Sequence, residues 1–219
     1  MNSIRGNIEA AFTLIELLVV LVAIAIIAVL ILPALFSYPE RPVRIVCISQ
    51  QKQIAIALVM WNEDHGGKFP SRVSVTNGGS RELITNQASS HFKPAANYLK
   101  LPKVFVCPTD KNKKTTDSFE RFTDENLSYF VNTDAATNSP PEILTGDRHL
   151  KLNEKGVSPG LLLLSHQSTN VGWTAELHGK GSRGGNVAFT DGRVQWNTES
   201  NLAALIKDHG IFTNRLAVP

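Results

Sequence analysis

The side chains best suited to chemistry lie in the C-terminal half of the chain. They are Asp147, His149, His166, His178 and Asp191. Such groups serve elsewhere as general acids, bases or metal ligands, but the surrounding pattern favours structural roles. A type I′ turn alone explains the Asp191-Gly192 pair, and His178 begins a glycine-rich loop where an imidazole can hydrogen-bond backbone carbonyls. We therefore predict no catalytic residues here.

The glycine-rich segment after His178 does not match a nucleotide site. Residues 179–185 read GKGSRGG and precede a predicted strand, whereas a phosphate-binding loop reads G-x-x-x-x-G-K-[ST] and precedes a helix. Zinc-protease, serine-hydrolase and EF-hand patterns are also missing from the sequence. The sequence therefore predicts a protein that is not an enzyme and has no cofactor.

A different chemical feature is the single carboxylate in an apolar N-terminal segment. Glu16 is followed by an uninterrupted apolar run from Leu17 to Leu32. A helix over residues 12–36 would be roughly 37 Å long, enough to cross a bilayer core of about 30 Å. A carboxylate there costs on the order of 3 kcal/mol on insertion scales, which makes Glu16 a candidate functional residue. Pro33 either kinks this helix or marks its end at the membrane surface.

The N-terminus has three interpretations. A secretory signal peptide has a short apolar core and a small-residue cleavage site after it, but this run is long and no A-x-A pattern follows Leu32. A plain membrane anchor explains the length and not Glu16. The third interpretation is a leader that is removed ahead of the apolar run. Residues 11–20, AFTLIELLVV, resemble the cleavage and methylation segment of type IV pilins and type II secretion pseudopilins.

This resemblance implies processing followed by assembly. In that family a prepilin peptidase cuts between a small residue, usually glycine, and phenylalanine. Ala11 and Phe12 occupy these positions, so residues 1–11 would be the leader and Phe12 the N-methylated amino terminus. Pairing of Glu16 with the Phe12 amine of a neighbouring subunit would offset the cost of the buried charge and set the axial register. Pro33 matches a family position where the helix loosens on packing.

Beyond the apolar run, the sequence predicts an amphipathic helix that ends near residues 65–67. Two prolines in residues 37–42 interrupt helical structure first. Apolar residues then recur at helical spacing, at Val43, Cys47, Ile54, Leu58 and Trp61. Arg44, Gln51 and Lys52 fall mostly outside this stripe.

From residue 66 onward the pattern changes to loops and short strands. It predicts buried strands over 143–146 and 161–166 and a strand at 105–107 that ends in a proline turn. Asp191-Gly192 between β-prone segments predicts a hairpin with a type I′ turn. A final helix is predicted over 199–208, with Thr198 as its cap and Gly210 as its stop.

These elements give an α+β fold class. A long N-terminal helix, membrane-spanning over 12–36 and amphipathic over 37–65, would pack on a small antiparallel sheet in a head of residues 66–219.

The head resembles pilin-like proteins of planctomycete and verrucomicrobial type. The shared motifs are G-K-F-P at 67–70, C-P-x-D at 107–110, G-D-R at 146–148 and a C-terminal His…Asp-Gly signature at His178, Asp191 and Gly192. Twelve residues separate His178 from Asp191, a longer spacing than in that group's H-X9-DG domain. The resemblance names a family and no reaction. Because major pseudopilins bind calcium in a C-terminal loop, it also makes Asp110, Asp147 and Asp191 weak calcium candidates.

Charge and cysteine content limit the partners. The formal net charge is +3, and no basic run with interleaved aromatic residues predicts a nucleic-acid surface. Arg5 in the leader favours a cytoplasmic N-terminus with the rest outside. In an oxidising compartment Cys47 and Cys107 would form either a disulfide or two separate buried thiols, and their isolation in sequence argues against zinc.

Together these features predict a structural subunit, a pseudopilin or minor pilin of a type II secretion or type IV pilus-like filament. Its partners would be other pilin-like subunits, the same or different, the prepilin peptidase and an inner-membrane assembly platform. It would first sit in the inner membrane with a periplasmic head and then enter a periplasmic or cell-surface filament. The alternative is a membrane-anchored binding module that holds calcium, glycan or DNA, and a weaker third hypothesis is a metal-dependent periplasmic hydrolase.

Overall fold

The computed structural model describes residues 13–36, 40–84, 87–137, 140–165, 168, 170–175, 177–178, 183–208 and 213–219. The chain divides into two compact units, Met1–Pro39 and Glu40–Pro219, and the second is called the globular unit below. The predictions for Ala11, Phe12, His166 and Gly210 lie outside the described residues.

The N-terminal unit contains one apolar helix, α1 (Leu14–Phe36). Its span Leu14–Leu32 has a mean hydropathy of 3.3, so it is long and apolar enough to cross a membrane. The helix continues past Pro33 to Phe36, so the expectation that Pro33 marks its end is wrong. Before α1, the hydroxyl of Thr13 accepts the Glu16 backbone N–H at 3.3 Å, and the Glu16 carboxylate accepts the Thr13 backbone N–H at 3.0 Å. This reciprocal pair is a capping box, which satisfies donors that the first turn leaves free.

Helix α2 (Glu40–Asp64) opens the globular unit. The predicted break in helical structure extends too far along the chain, because α2 already begins at Glu40. Pro42 is tolerated there because it lies in the first turn, where a backbone N–H has no acceptor within the helix. The predicted apolar stripe is confirmed at its described positions, with Cys47, Ile54, Leu58 and Trp61 all buried. The helix ends near the predicted glycines, where the N–H of Gly67 binds the carbonyl of Asn62 at 2.9 Å.

After α2 the described globular unit contains strands, short 3-10 helices and one further α-helix, joined by loops. The strands are β1 (Tyr129–Asn132), β2 (Ile143–Asp147), β3 (Leu150–Leu152), β4 (Lys155–Gly156), β5 (Gly160–Ser165), β6 (Val171–Trp173), β7 (Gly184–Phe189), β8 (Val194–Thr198) and β9 (Thr213–Val218). Helix α3 spans Glu199–Asp208, as predicted. Short 3-10 helices cover Pro70–Arg72, Val75–Asn77, Arg81–Leu83, Ala88–His91, Lys93–Tyr98, Pro102–Phe105 and Asp124–Asn126.

The strands form a six-stranded sheet in the order β5-β9-β1-β2-β7-β8 and a three-stranded sheet in the order β4-β3-β6. Every described strand pair is antiparallel. The α+β class is confirmed, although the larger sheet is more extensive than the small one predicted.

Alternating residues of the central strands place two apolar clusters on opposite faces of the large sheet. On β1, Tyr129 packs in the cluster that contains the buried face of α2, whereas Phe130 packs in the cluster that contains α3. On β7, Ala188 belongs to the first cluster and Val187 to the second. This alternation follows from the two-residue period of a strand. The core therefore has two layers, and α2 covers one of them.

One strand prediction is wrong, and another is right in position but wrong in its burial. Residues 105–107 do not form a strand, because Pro102 starts a 3-10 turn in which the Val106 N–H binds the Lys103 carbonyl. The segment at 161–166 is a strand, β5, but it lies at the edge of the sheet, and Leu163 is 60% exposed. The predicted burial fails on one face of the strand. Leu164 packs in the cluster that contains α3, whereas Leu161 and Leu163 alternate onto the other face and are exposed.

The β7–β8 hairpin is confirmed with a different turn. Three residues, 190–192, close it, since the Gly192 N–H binds the Phe189 carbonyl and the Phe189 N–H binds the Arg193 carbonyl, both at 2.8 Å. Within this loop only Gly192 has positive φ, at +76°. The carboxylate of Asp191 accepts the Arg193 backbone N–H at 2.9 Å. The type I′ prediction is therefore wrong, because a third loop residue leaves only one position that requires positive φ.

We expect Gly192→Ala to lower the free energy of unfolding by about 1–2 kcal/mol, because an L-residue in the left-handed region is strained. Asp191→Ala should cost about 0.5–1.5 kcal/mol through one lost hydrogen bond, and Asp191→Asn less, because an amide oxygen can still accept that bond. Chemical denaturation of the three variants checks the ranking. A larger cost for Asp191→Ala than for Gly192→Ala would contradict this description of the turn.

Candidate functional site

The centre of the candidate site is Asp147, the last residue of β2, whose side chain is fully buried. Its Oδ2 lies 2.8 Å from His178 Nε2 and accepts the Asn186 backbone N–H at 2.6 Å. Its Oδ1 accepts the amide of Gln51 at 2.8 Å. One carboxylate thus joins α2, β2, β7 and the loop before β7. A buried carboxylate with this many donors is well compensated.

His178 is held in a backbone conformation that non-glycine residues rarely adopt. Its φ is +65°, and its side chain is fully buried. The ring packs edge-on against Trp196, with centroids 5.4 Å apart, and lies 5.8 Å from the ring of His149. His178 was expected to hydrogen-bond backbone carbonyls of its loop. Its imidazole instead binds the Asp147 carboxylate. Asp191 instead makes its hydrogen bond within the hairpin turn, so the two residues of the predicted signature have separate roles.

Arg148, the next residue after Asp147, pairs with Asp110 of the C-P-x-D turn. Its guanidinium donates to both carboxylate oxygens, at 2.8 and 2.9 Å, and Ser128 donates to one of them at 2.8 Å. Burial alone would raise the pKa of Asp110, but the hydrogen bonds and charge of Arg148 together with Ser128 hold it below its usual value. The G-D-R motif therefore links two other motifs, through Asp147 to His178 and through Arg148 to the C-P-x-D turn.

The weak calcium candidates do not form one site. Asp110 is paired with Arg148, Asp147 is occupied by buried donors, and Asp191 binds within its turn. Calcium needs six to eight oxygen ligands that converge. Among the described residues, a close group of potential metal ligands does occur at Cys47, Cys107 and His178, but its two sulfurs are bonded to each other.

The disulfide between Cys47 and Cys107 confirms one of the two predicted states of these cysteines. It joins α2 to the start of the C-P-x-D turn, with the two Cα atoms 5.5 Å apart. It closes a loop of 60 residues, which in the chain-entropy model contributes about 4 kcal/mol. The bond thus fastens the helix to the segment that carries Asp110.

We expect the double variant Cys47→Ser/Cys107→Ser to lose about 3–4 kcal/mol of unfolding free energy. Denaturation of the wild-type chain with and without a dithiol reductant should show a similar loss. The double variant is the control, because the reductant should leave its stability unchanged. Equal stability of oxidised and reduced wild-type protein would contradict this role for the bond.

Two buried histidines make the stability of the globular unit depend on pH. Burial lowers the pKa of His149 to about 4, against the opposing charge of Asp147. Burial also lowers the pKa of His91 to about 4. Both rings are therefore neutral in the folded state at pH values where the unfolded chain binds a proton.

Stability should consequently fall as the pH drops from about 6.5 to about 4, by about 1.4 kcal/mol per pH unit for each histidine. Unfolding of the wild-type chain at several pH values in this window measures the slope. His149→Gln removes one titrating group, so the dependence of its unfolding free energy on pH should be smaller by the contribution of one histidine. The same slope in both proteins would show that His149 does not contribute.

The hydrogen bonds of Asp147 tie α2, β2, β7 and the loop before β7 together, and the His178–Asp147 pair is fully buried. No family model, curated protein or solved structure matches this chain. The role of the site therefore rests on its contacts.

Sequence reasoning missed the role of Gln51 in the site and the cap formed by Thr13. The sequence pattern puts Gln51 outside the apolar stripe, yet its side chain is fully buried. Its position, four residues after Cys47 and three before Ile54, puts it on the same helix face. The spacing of Thr13 and Glu16 is that of a capping box, a signal that was available in the sequence.

Proposed function

We propose that this protein is a structural subunit, a pseudopilin or minor pilin, of a type II secretion or type IV pilus-like filament. The observation that carries the proposal is one carboxylate, Glu16, in the first turn of an otherwise apolar α1. A membrane anchor does not need a charge there, and holding one in lipid costs on the order of 3 kcal/mol. A partner charge on a neighbouring subunit would offset this cost.

The Thr13 cap fits this proposal. The Thr13 backbone N–H and hydroxyl both donate to the Glu16 carboxylate, at 3.0 and 2.9 Å. These donors lower the cost of the charge while the subunit is alone in the membrane. In the assembled state the Phe12 amine of the next subunit would supply the compensating charge.

The globular unit supports a structural role in the same account. Its His178–Asp147 pair is fully buried, and the Asp147 carboxylate also binds Gln51 of α2, the helix that the disulfide fastens to the C-P-x-D turn. We infer that the unit is a rigid body displayed outside the inner membrane rather than an enzyme. The chain would be inserted with its N-terminus in the cytoplasm, trimmed by the prepilin peptidase and passed to the assembly platform.

Processing tests this proposal. Ala11→Leu places a bulky residue before the cleavage site, so the precursor should accumulate in the inner membrane. Immunoblots that separate the precursor from the mature chain measure this. Asn2→Leu is the matched control, because it adds a leucine far from the cleavage site and should be processed normally. Normal processing of both variants, or of neither, would contradict the assigned site.

A further inference from the structure

We propose that the globular unit binds a tetrahedral oxyanion, the phosphate or sulfate group of an ester, in a cleft beside the disulfide. This proposal is independent of filament assembly. The cleft has a volume of about 620 Å³, within the range of about 300–1,000 Å³ typical of small-ligand sites. Gln50 of α2 forms one wall, and residues of the segment 103–115 form the others. Because Cys47 lies one helical turn before Gln50, its bond to Cys107 holds these walls together.

Three lysines face the cleft, and none is fixed in a buried ion pair. The Lys113 ammonium donates to the backbone carbonyl of Asp124 at 2.8 Å, which leaves its other protons available. Within the described residues, Lys114 has no carboxylate at ion-pair distance. Lys103 pairs with Asp117 at 2.8 Å, but both side chains are more than half exposed. Exposed pairs of this kind contribute little and exchange readily.

The other polar groups of the cleft also favour an anion. The Gln50 oxygen accepts the hydroxyl proton of Tyr129 at 3.1 Å, so the amide NH2 is the part of Gln50 left to donate. The carboxylate that lines the cleft, Asp110, forms an ion pair with Arg148 and accepts a hydrogen bond from Ser128. The cleft therefore offers ammonium and amide donors, whereas its carboxylate oxygens are already occupied. Charged donors of this type bind phosphate and sulfate oxygens strongly.

The positive charges of Lys113 and Arg148 also favour a bound oxyanion. Burial lowers the pKa of Lys113, and the nearby positive charge of Arg148 lowers it further, against Asp110, Asp124 and Glu125. A bound oxyanion would offset the repulsion between the two cations.

Isothermal titration of the full-length chain in detergent micelles tests the proposal, with inorganic phosphate as the first probe. We expect saturable binding that Lys113→Gln/Lys114→Gln weakens by at least about tenfold. The control Lys68→Gln/Lys155→Gln removes the same charge at two exposed positions outside the cleft and should bind like the wild type. Circular dichroism of both variants checks that they are folded.

A second set of titrations separates the sources of the oxyanion. Hexose 6-phosphate and hexose 6-sulfate should both bind, and the tighter of the two identifies the natural ester, whereas the neutral hexose should not bind. Absence of saturable phosphate binding by the wild-type chain would overturn the proposal. So would equal weakening in the cleft variant and the control, because binding would then follow net charge alone.

Discussion

Glu16→Gln should leave the chain inserted in the membrane but reduce its entry into filaments at least about tenfold, because it removes a charge pair that offsets about 3 kcal/mol in lipid. Glutamine can still accept the Thr13 backbone N–H, so this variant keeps the helix cap and loses only the charge. The filament fraction, separated by sedimentation and quantified by immunoblot, measures the effect. Membrane insertion should be unchanged or improved, since the cost of the charge disappears.

Two further variants separate the charge from the cap. Thr13→Val removes the hydroxyl that accepts the Glu16 N–H at 3.3 Å and keeps the carboxylate, so it should assemble nearly normally. Glu16→Val removes both the charge and the cap and should fail to assemble. If Glu16→Gln assembles like the wild type while Thr13→Val and Glu16→Val fail, Glu16 acts as a helix cap and the register role is wrong.

Asp147→Ala should lower the free energy of unfolding by about 3–5 kcal/mol or prevent folding, because it leaves several buried donors without an acceptor. Those donors are the side chains of Gln51 and His178 and the backbone N–H of Asn186. Chemical denaturation of the purified chain measures the loss. Asp191→Ala, the same substitution at a partly exposed aspartate, is the control and should cost far less.

Asp147→Asn keeps the test decisive if the alanine variant does not fold. An asparagine oxygen can still accept from His178 and Asn186. The buried oxygen of Gln51 has no partner among the described contacts, so rotation of that amide lets it accept the new asparagine N–H. We therefore expect a loss of only about 1–2 kcal/mol. If alanine and asparagine cost the same at residue 147, the hydrogen-bond network is not what stabilises the site.

Elements with strong local signals were predictable from the sequence. The apolar run of α1, the buried stripe of α2 and the final helix α3 each follow from residues close together in the chain. The β7–β8 hairpin was predictable for the same reason. Its turn type was not, because one loop residue more or less changes which positions need positive φ.

The order of the sheet and the partners within the site depend on contacts that no local pattern specifies. β9 lies between β1 and β5 although all three are distant in sequence. The motifs drew attention to Asp147 and His178, but their pairing requires β2 to meet the loop before β7. Asp191, adjacent to Gly192 and therefore the more conspicuous candidate, has only a local role in its turn.

Mass spectrometry of the mature N-terminus, on protein recovered from native cells with an active prepilin peptidase, tests the central claim most directly. We expect a chain that begins at N-methylated Phe12 and lacks Met1 to Ala11. A full-length chain that begins at Met1 would contradict it and favour a plain membrane anchor. A chain cleaved after Leu32 would equally contradict it and identify the apolar run as a signal peptide.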